Sequence, residues 1–256
     1  MFNICNSDCK KGRTLAKIEG GKYNDKIVCF VGNEEDNDEI YRTFNEITLT
    51  DGKFTPMPNM NSERGVLYIS GASGSGKSFY SKLFIKNYIK MFPRNNIFLF
   101  SKLTEDSSLD DVREIKRIKI DDRLITQPFD CSDFANSLVL LDDCDTIRNK
   151  DHKKALNQLS SELLETGRHE NVTVIILSHV ACKGLETKTI LNESSCITFF
   201  LASGAPVDYL LQNYIGLNRK QILALKRLNS RWITIFRHYP MILMTETQLL
   251  FLKDLN

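Results

Sequence analysis

The sequence predicts a three-layer α/β sandwich built on a mainly parallel sheet, and three observations predict it. Short apolar runs rich in β-branched residues, at 66–70, 97–101, 138–142, 172–178 and 196–201, are separated by helix-length sequence. Runs of this kind suit strands buried on both faces and wrapped by helices. The first run leads straight into GASGSGKS at residues 71–78, which opens an amphipathic segment. The third, Leu138-Val139-Leu140-Leu141, ends in two acids, Asp142 and Asp143.

Taken in order, residues 1–62 read as a small β-rich appendage, with strand-like pieces at 26–31 and 46–49. Asp51-Gly52 predicts a hairpin turn toward Phe54, and Pro56-Met57-Pro58 closes the segment. Residues 63–256 form the main domain. Within it, the β-like piece 115–120 extends or edges the sheet. Residues 149–166 carry Leu156, Leu159 and Leu163 at helical spacing and end at Gly167, a residue suited to the position just past a helix. Carboxyl-terminal helices follow, with a closing hairpin of Trp232 to Arg237 and Met241 to Met244.

Composition narrows the class. At 256 residues and 42% hydrophobic, the chain can bury one sizeable α/β core with appendages, or at a stretch two small domains. Its net charge of +2 gives no global field for nucleic acid, so any basic footprint is local. No run approaches the ~18 apolar residues of a membrane span, and the start MFNICNSDCKKGR lacks the apolar core of a secretory signal. The seven cysteines, Cys5, Cys9, Cys29, Cys131, Cys144, Cys182 and Cys196, read as reduced thiols of an intracellular protein. Cys5 and Cys9 are half of a metal site at most, since no second close pair and no His pair accompanies them.

Residues 71–78 match G-x-x-x-x-G-K-[ST] in full, between a strand and a helix, and so predict a phosphate-binding loop for ATP. Gly71, Ala72, Ser73, Gly74, Ser75, Gly76, Lys77 and Ser78 supply it. The glycines let backbone amides turn toward the β-phosphate, Lys77 reaches the β/γ oxygens, and Ser78 offers a hydroxyl to Mg²⁺. A buried strand ending in acids delivers them to the same sheet edge, which makes Asp142 a Mg²⁺ ligand through water and Asp143 the group that orients or deprotonates the attacking water. Arg168 has two readings. It is a cation complementing a helix carboxyl end, or it reaches a neighbouring subunit's γ-phosphate. Ser178 and His179 fall at a strand tip between the two motifs, where His179 either senses the γ-phosphate or is simply hydrogen-bonded.

GASGSGKS, then SLVLLDDCDTI, then LLETGRHENVTVIILSH, in that order and spacing, resemble the DNA-packaging ATPases of large nucleocytoplasmic DNA viruses and their virophages, within the FtsK/HerA superfamily. The resemblance covers roughly residues 62–202, with the GRH turn its most specific element. It implies a P-loop NTPase with sheet order 5-1-4-3-2 and an extra strand between the phosphate loop and the acidic strand. It further implies a ring of five or six subunits that threads double-stranded DNA, works with capsid or portal components and acts in the viral factory. On it, Gly71 to Ser78 match the nucleotide loop, Asp142 the metal acid, Asp143 the catalytic acid and Arg168 the arginine finger. Two positions depart from the pattern. Asp143 stands where Glu is common and His179 where many relatives have Gln, which weakens direct proton abstraction in favour of water positioning and leaves the sensor role open.

From Gly216 to His238 there are Arg219, Lys220, Lys226, Arg227, Arg231 and Arg237, no acid, and Trp232 and Phe236 among them. The pattern fits a DNA-binding face, led by Arg219, Lys220, Lys226 and Arg227, and fits a solvated helix face about equally. A second basic stretch, Arg113 to Lys119, is a further candidate. The competing readings are another ATP-dependent nucleic-acid machine, such as a helicase or replication loader, and a small-molecule kinase or GTPase. No further helicase motif is visible. Asn149-Lys150-Asp151-His152 misses the guanine-reading N-K-x-D by one residue, and no acceptor pocket is evident for a kinase.

Overall fold

The computed structural model describes residues 1–6, 12–32, 43–62, 64–201 and 205–255. The amino-terminal strands are β1 (Phe2–Cys5), β2 (Arg13–Glu19), β3 (Ile27–Phe30), β4 (Thr43–Phe44), β5 (Glu46–Thr48) and β6 (Lys53–Pro56). There follow β7 (Val66–Ser70), α1 (Lys77–Met91), β8 (Asn96–Ser101), β9 (Ile115–Lys119), α2 (Arg123–Thr126), β10 (Ser137–Asp142), α3 (Lys150–Glu165) and β11 (Thr173–Ser178). The chain continues through α4 (Leu185–Glu193), β12 (Cys196–Phe200), α5 (Ala205–Leu210), α6 (Arg219–Lys226), β13 (Trp232–Phe236), β14 (Ile242–Met244) and β15 (Gln248–Phe251).

One ten-stranded sheet runs in the order β5-β15-β14-β13-β12-β7-β11-β10-β8-β9. All pairs from β12 to β9 are parallel, and all pairs from β12 to β5 are antiparallel. Successive residues of each central strand alternate between two cores, because side chains alternate across a pleat. Val66, Tyr68, Val139, Leu141, Val174 and Ile176 face a core shared with α3 to α6. Leu67, Ile69, Leu138, Leu140, Ile175 and Leu177 face one shared with α1 and with Phe2, Leu15, Ile18 and Phe54 of the amino-terminal strands. The outcome is three layers, with α1 and the second sheet, β4-β1-β3-β2-β6, on one side and the remaining helices on the other.

The helices start where the sequence offers caps. The Asn149 side chain accepts from Asp151 N and His152 N to open α3, and Asn218 with Gln221 forms a reciprocal capping box on α6. Gly167 follows α3 for a reason of space. Its φ is not in the left-handed region, but a Cβ there would lie 2.2 Å from the Leu163 carbonyl oxygen, so only glycine allows the chain to pass.

Two sequence expectations change. Asp51-Gly52 does turn, with Gly52 at φ 83°, but β5 and β6 on either side of it do not form a hairpin. β5 pairs with β15 and β6 with β2, so this turn carries the chain from one sheet to the other. Leu49 N and Phe54 N donate to Thr247 O and Glu246 O, which pins the crossing to the β14–β15 turn. The cysteines are not all thiols: Cys29 is disulfide-bonded, whereas Cys5, Cys131, Cys144, Cys182 and Cys196 are outside any disulfide. Cys9 lies outside the described residues. Among those residues no helix is long and apolar enough to cross a membrane.

The piece at 115–120 is β9, the parallel edge strand beside β8. Its basic residues blunt that edge, as charged side chains do on unpaired strands. Lys116 donates to Asn96 Oδ1 at 2.9 Å, and Arg117 pairs with Asp110 at 2.6 Å.

Candidate active site

β7 and β10 both end at the carboxyl edge of the sheet, which brings the phosphate loop and the acidic pair to one place. The loop begins where Gly71 N donates to Ser178 O, 3.1 Å away at the tip of β11. Gly76 sits at φ 111°, a conformation that L side chains rarely adopt, and its carbonyl accepts from Tyr80 N to start α1. Lys77 is buried, and its Nζ donates to Gly71 O at 2.9 Å and Ala72 O at 3.2 Å. The ammonium therefore closes the mouth of its own loop.

Asp142 is the last residue of β10, in register with Ser101 at the end of β8. Ser101 Oγ donates to Asp142 Oδ2 at 3.2 Å, a partner the sequence reading did not single out. The available signal was an apolar run, 97–100, that ends on a hydroxyl. Asp143 leaves the strand at φ 50°, a left-handed position that Asp tolerates better than most residues. That turn aims its Oδ2 at His179 Nε2, 3.0 Å away. The other His179 nitrogen, Nδ1, lies 3.4 Å from Lys77 Nζ. The tautomer that satisfies both contacts carries its proton on Nε2. A continuous chain of polar contacts thus runs Lys77, His179, Asp143. Asp143 Oδ1 is buried without a hydrogen-bond partner, and so is Ser75 Oγ in the loop. Ser178 is turned aside, its hydroxyl donating to Val180 O at 3.1 Å.

Burial pushes the Asp142 carboxyl up to about 6, reinforced by the Asp143 charge and opposed by the Ser101 hydrogen bond. A carboxyl raised above its unfolded value of ~3.9 keeps its proton longer in the folded state. Its ionisation therefore costs stability as pH rises from about 4 to about 6, a cost of up to ~3 kcal/mol. Asp142→Asn is expected to raise the melting temperature of the metal-free protein near pH ~7.5, with the gap to wild type closing near pH ~4. A variant that melts lower than wild type at the higher pH would contradict this account.

The same buried carboxylate suits a cation. Mg²⁺ takes few protein ligands and completes its shell with phosphate and water oxygens. Among the described residues no group of three or more His, Cys, Asp or Glu forms a metal cage, whereas the Ser78 hydroxyl and Asp142 stand at the one sheet edge that carries the loop.

Arg168 is elsewhere. It lies on the turn between α3 and β11, at the amino edge of the sheet, beside Arg64, Asn171 and Arg237. The strands it precedes separate it from the loop by roughly 15 Å or more, so the site gathers Lys77, Asp142, Asp143 and His179 but not Arg168. Of the predicted DNA residues, Arg219, Lys220 and Arg227 make no ion pair among the described residues, but Lys226 Nζ is 2.6 Å from Asp208 of α5. Arg237 is also committed, donating to Leu191 O and to Ser194 O at the end of α4.

A phosphate loop opening a helix, with an acidic strand tip two strands away in a parallel sheet, is the arrangement of P-loop ATPases. No family model matches the sequence. The uncharacterised protein V3 of the Sputnik virophage is 42% identical over 241 residues, which span 93% of this chain and 94% of V3. The DNA-packaging ATPase B204 from Sulfolobus turreted icosahedral virus shares the fold, with a TM-score of 0.51 over 73% of this chain and 98% of B204 at 12% identity. The genome packaging NTPase B204 from Sulfolobus turreted icosahedral virus 2, in complex with ATP-gammaS, aligns with a TM-score of 0.50 over 72% of this chain and 98% of its own, also at 12% identity. The chain belongs to one family with V3 of the Sputnik virophage, and its fold is that of the viral packaging ATPase B204.

Proposed function

We propose that this protein hydrolyses ATP to drive double-stranded DNA into a viral capsid. The observation that carries the proposal is the contact chain from Lys77 through His179 to Asp143 at the mouth of the phosphate loop. The unpartnered Asp143 Oδ1 is the acceptor for an attacking water, and His179 holds the carboxylate that presents it. Amides of 71–78 and Lys77 take the phosphates, with Ser75 Oγ free to donate to them. Ser78 and Asp142 would hold Mg²⁺, which neutralises phosphate charge when bound.

Counted in chain order without the edge strand β9, the neighbours β12-β7-β11-β10-β8 support the order 5-1-4-3-2. Residues 1–62 act as an appendage to an ATPase domain of 63–256, and β11, between β7 and β10 in the sheet, is the extra strand. Subunits form a ring of five or six, so that Arg168 of one completes the site of the next. The motor engages capsid or portal components in the viral factory. The deciding experiment is the ATPase rate with and without double-stranded DNA, together with particle mass in ATP. Strong stimulation of a ring-sized particle is expected; a monomer indifferent to DNA would sink the reading.

DNA is held by backbone charge, because a motor that passes every sequence cannot depend on base edges. Replacing Arg219 and Lys220 by Ala is expected to weaken all duplexes alike and to flatten the slope of log affinity against log salt by roughly 2. Lys226→Ala does less, since Asp208 already neutralises that ammonium. An unchanged slope would move the track off this helix.

A further inference from the structure

A chamber of about 210 Å³ lies between the two sheets at the amino edge of the main one, the edge opposite the phosphate loop. Gly65, Thr173 and Ser195, at or just before the starts of β7, β11 and β12, form part of its wall. The rest is largely apolar, with Leu15 of β2, Leu67 of β7, Tyr80 and Phe84 of α1 and Met244 of β14. The chamber is smaller than the roughly 300 Å³ at which drug-sized pockets begin, so it suits a small ligand. A second cavity, of about 580 Å³, carries Asn171, Asn192 and Arg237 on its wall. Both cavities are lined by Arg64, Gly65, Ser195 and His238, which places these residues at the neck between them.

The neck is cationic and holds unused donors. Arg64 is fixed by its Nη2, which donates to Leu164 O at 2.8 Å near the end of α3. Arg13 lines the chamber with its guanidinium over the Phe30 ring, 5.5 Å from the centroid, and its Nη2 3.5 Å from Pro240 O. One N–H of each is left over: Arg13 Nε and Arg64 Nε are buried without a hydrogen-bond partner. Leaving a buried donor of a charged group unpaired is costly, so two of them on one chamber point to an anionic acceptor. The chamber does not supply that charge itself. Among the described residues no Asp or Glu lines it, and burial pushes the thiol of Cys196 on its wall up to about 12, which keeps the sulfur neutral. Glu193 is the one acid among the described residues lining the outer cavity. Desolvation first, and then the charges of Arg13 and Arg237, hold the His238 imidazole below its ordinary range, as expected where cations crowd.

We infer that this chamber binds a small anionic amphiphile, a straight-chain carboxylate whose head lies at the neck between Arg13 and Arg64 and whose alkyl chain fills the apolar interior. Charge-assisted hydrogen bonds select the head, and burial of methylenes selects the chain. The site is independent of the nucleotide reading, because the phosphate loop stands at the other edge of the sheet. Arg168, on the outer cavity only, takes no part in it.

The intact protein is titrated by calorimetry with straight-chain carboxylates from acetate to octanoate, and with octanol. One octanoate is expected per chain, with affinity rising roughly threefold for each added methylene. Octanol, which keeps the chain and lacks the charge, is expected to bind about tenfold more weakly than octanoate or worse. Arg13→Gln, with melting curves to verify that it is folded, is expected to weaken octanoate about tenfold and octanol less than about twofold. The ligand series on the wild-type protein decides the matter even if that variant fails to fold. Equal affinities for acetate and octanoate would take the alkyl chain out of the chamber, and equal affinities for octanoate and octanol would take the arginines out of the site. Either result, or no saturable binding of octanoate, would overturn the assignment.

Discussion

Lys77→Ala protein is expected to retain neither ATP turnover nor most of its ATP affinity. Lys77 is the only cationic side chain in residues 71–78, and it is buried with its ammonium on the carbonyls of Gly71 and Ala72. Its removal takes away the charge-assisted contact to the β/γ oxygens and leaves His179 Nδ1 without the donor 3.4 Å away, so the orientation of Asp143 is lost as well. Asp143→Asn should separate the two effects. Asp142 and the loop remain, so Mg-ATP still binds, while hydrolysis falls by ~10²-fold or more, the usual worth of a positioned base. Equilibrium binding and single-turnover rates on both variants, with melting curves as a control for folding, check this. If Asp143→Asn loses nucleotide as completely as Lys77→Ala, the division of labour between the two acids is wrong.

Arg168→Ala is expected to bind ATP normally and to hydrolyse it ~10³-fold more slowly. The structure sharpens this test, because Arg168 stands at the amino edge of β11 whereas the loop stands at the carboxyl edge of β7, strands that run parallel in register from Val174–Val66 to Ser178–Ser70. The side chain is exposed and makes no ion pair among the described residues. It cannot serve its own nucleotide, so its role in catalysis is in trans or nil. Mixed assemblies decide between these: a Lys77→Ala subunit, unable to use its own site, restores activity to an Arg168→Ala neighbour by lending its arginine. Absence of rescue at every ratio, in assemblies shown to be mixed, would leave Arg168 as a cation at the end of α3.

What was legible in the sequence was whatever is encoded locally. The five buried runs became β7, β8, β10, β11 and β12, because strands covered on both faces must be apolar throughout. The loop was legible because a backbone that cradles phosphate needs glycines at set spacing. Partners set by distant register were not legible. Nothing near Asp142 announces Ser101, and nothing near Lys226 announces Asp208, since each contact joins two elements that meet only in the folded protein. The Asp51-Gly52 turn shows the same limit. Its chemistry predicts a reversal, but which strands flank it as neighbours is settled by residues 248–250 and 16–19, far off in the chain. Phe200 and Arg231, which stand against Gly71 and Gly76, escaped notice because Phe200 reaches the loop through the parallel pairing of β12 with β7 and Arg231 through the further pairing of β13 with β12.

The pairing of β5 with β15 joins residues 46–48 to residues 248–250. The strand at residues 46–48 must therefore remain without its partner until residues 248–250 have left the ribosome. During that interval the growing chain carries an open strand edge, the feature that invites wrong pairing between chains. Losing residues 248–251 would hold it in that state permanently. Residues 248–250 thus act as a clasp on synthesis: until they are made, residues 46–48 have no strand to pair with in the main sheet.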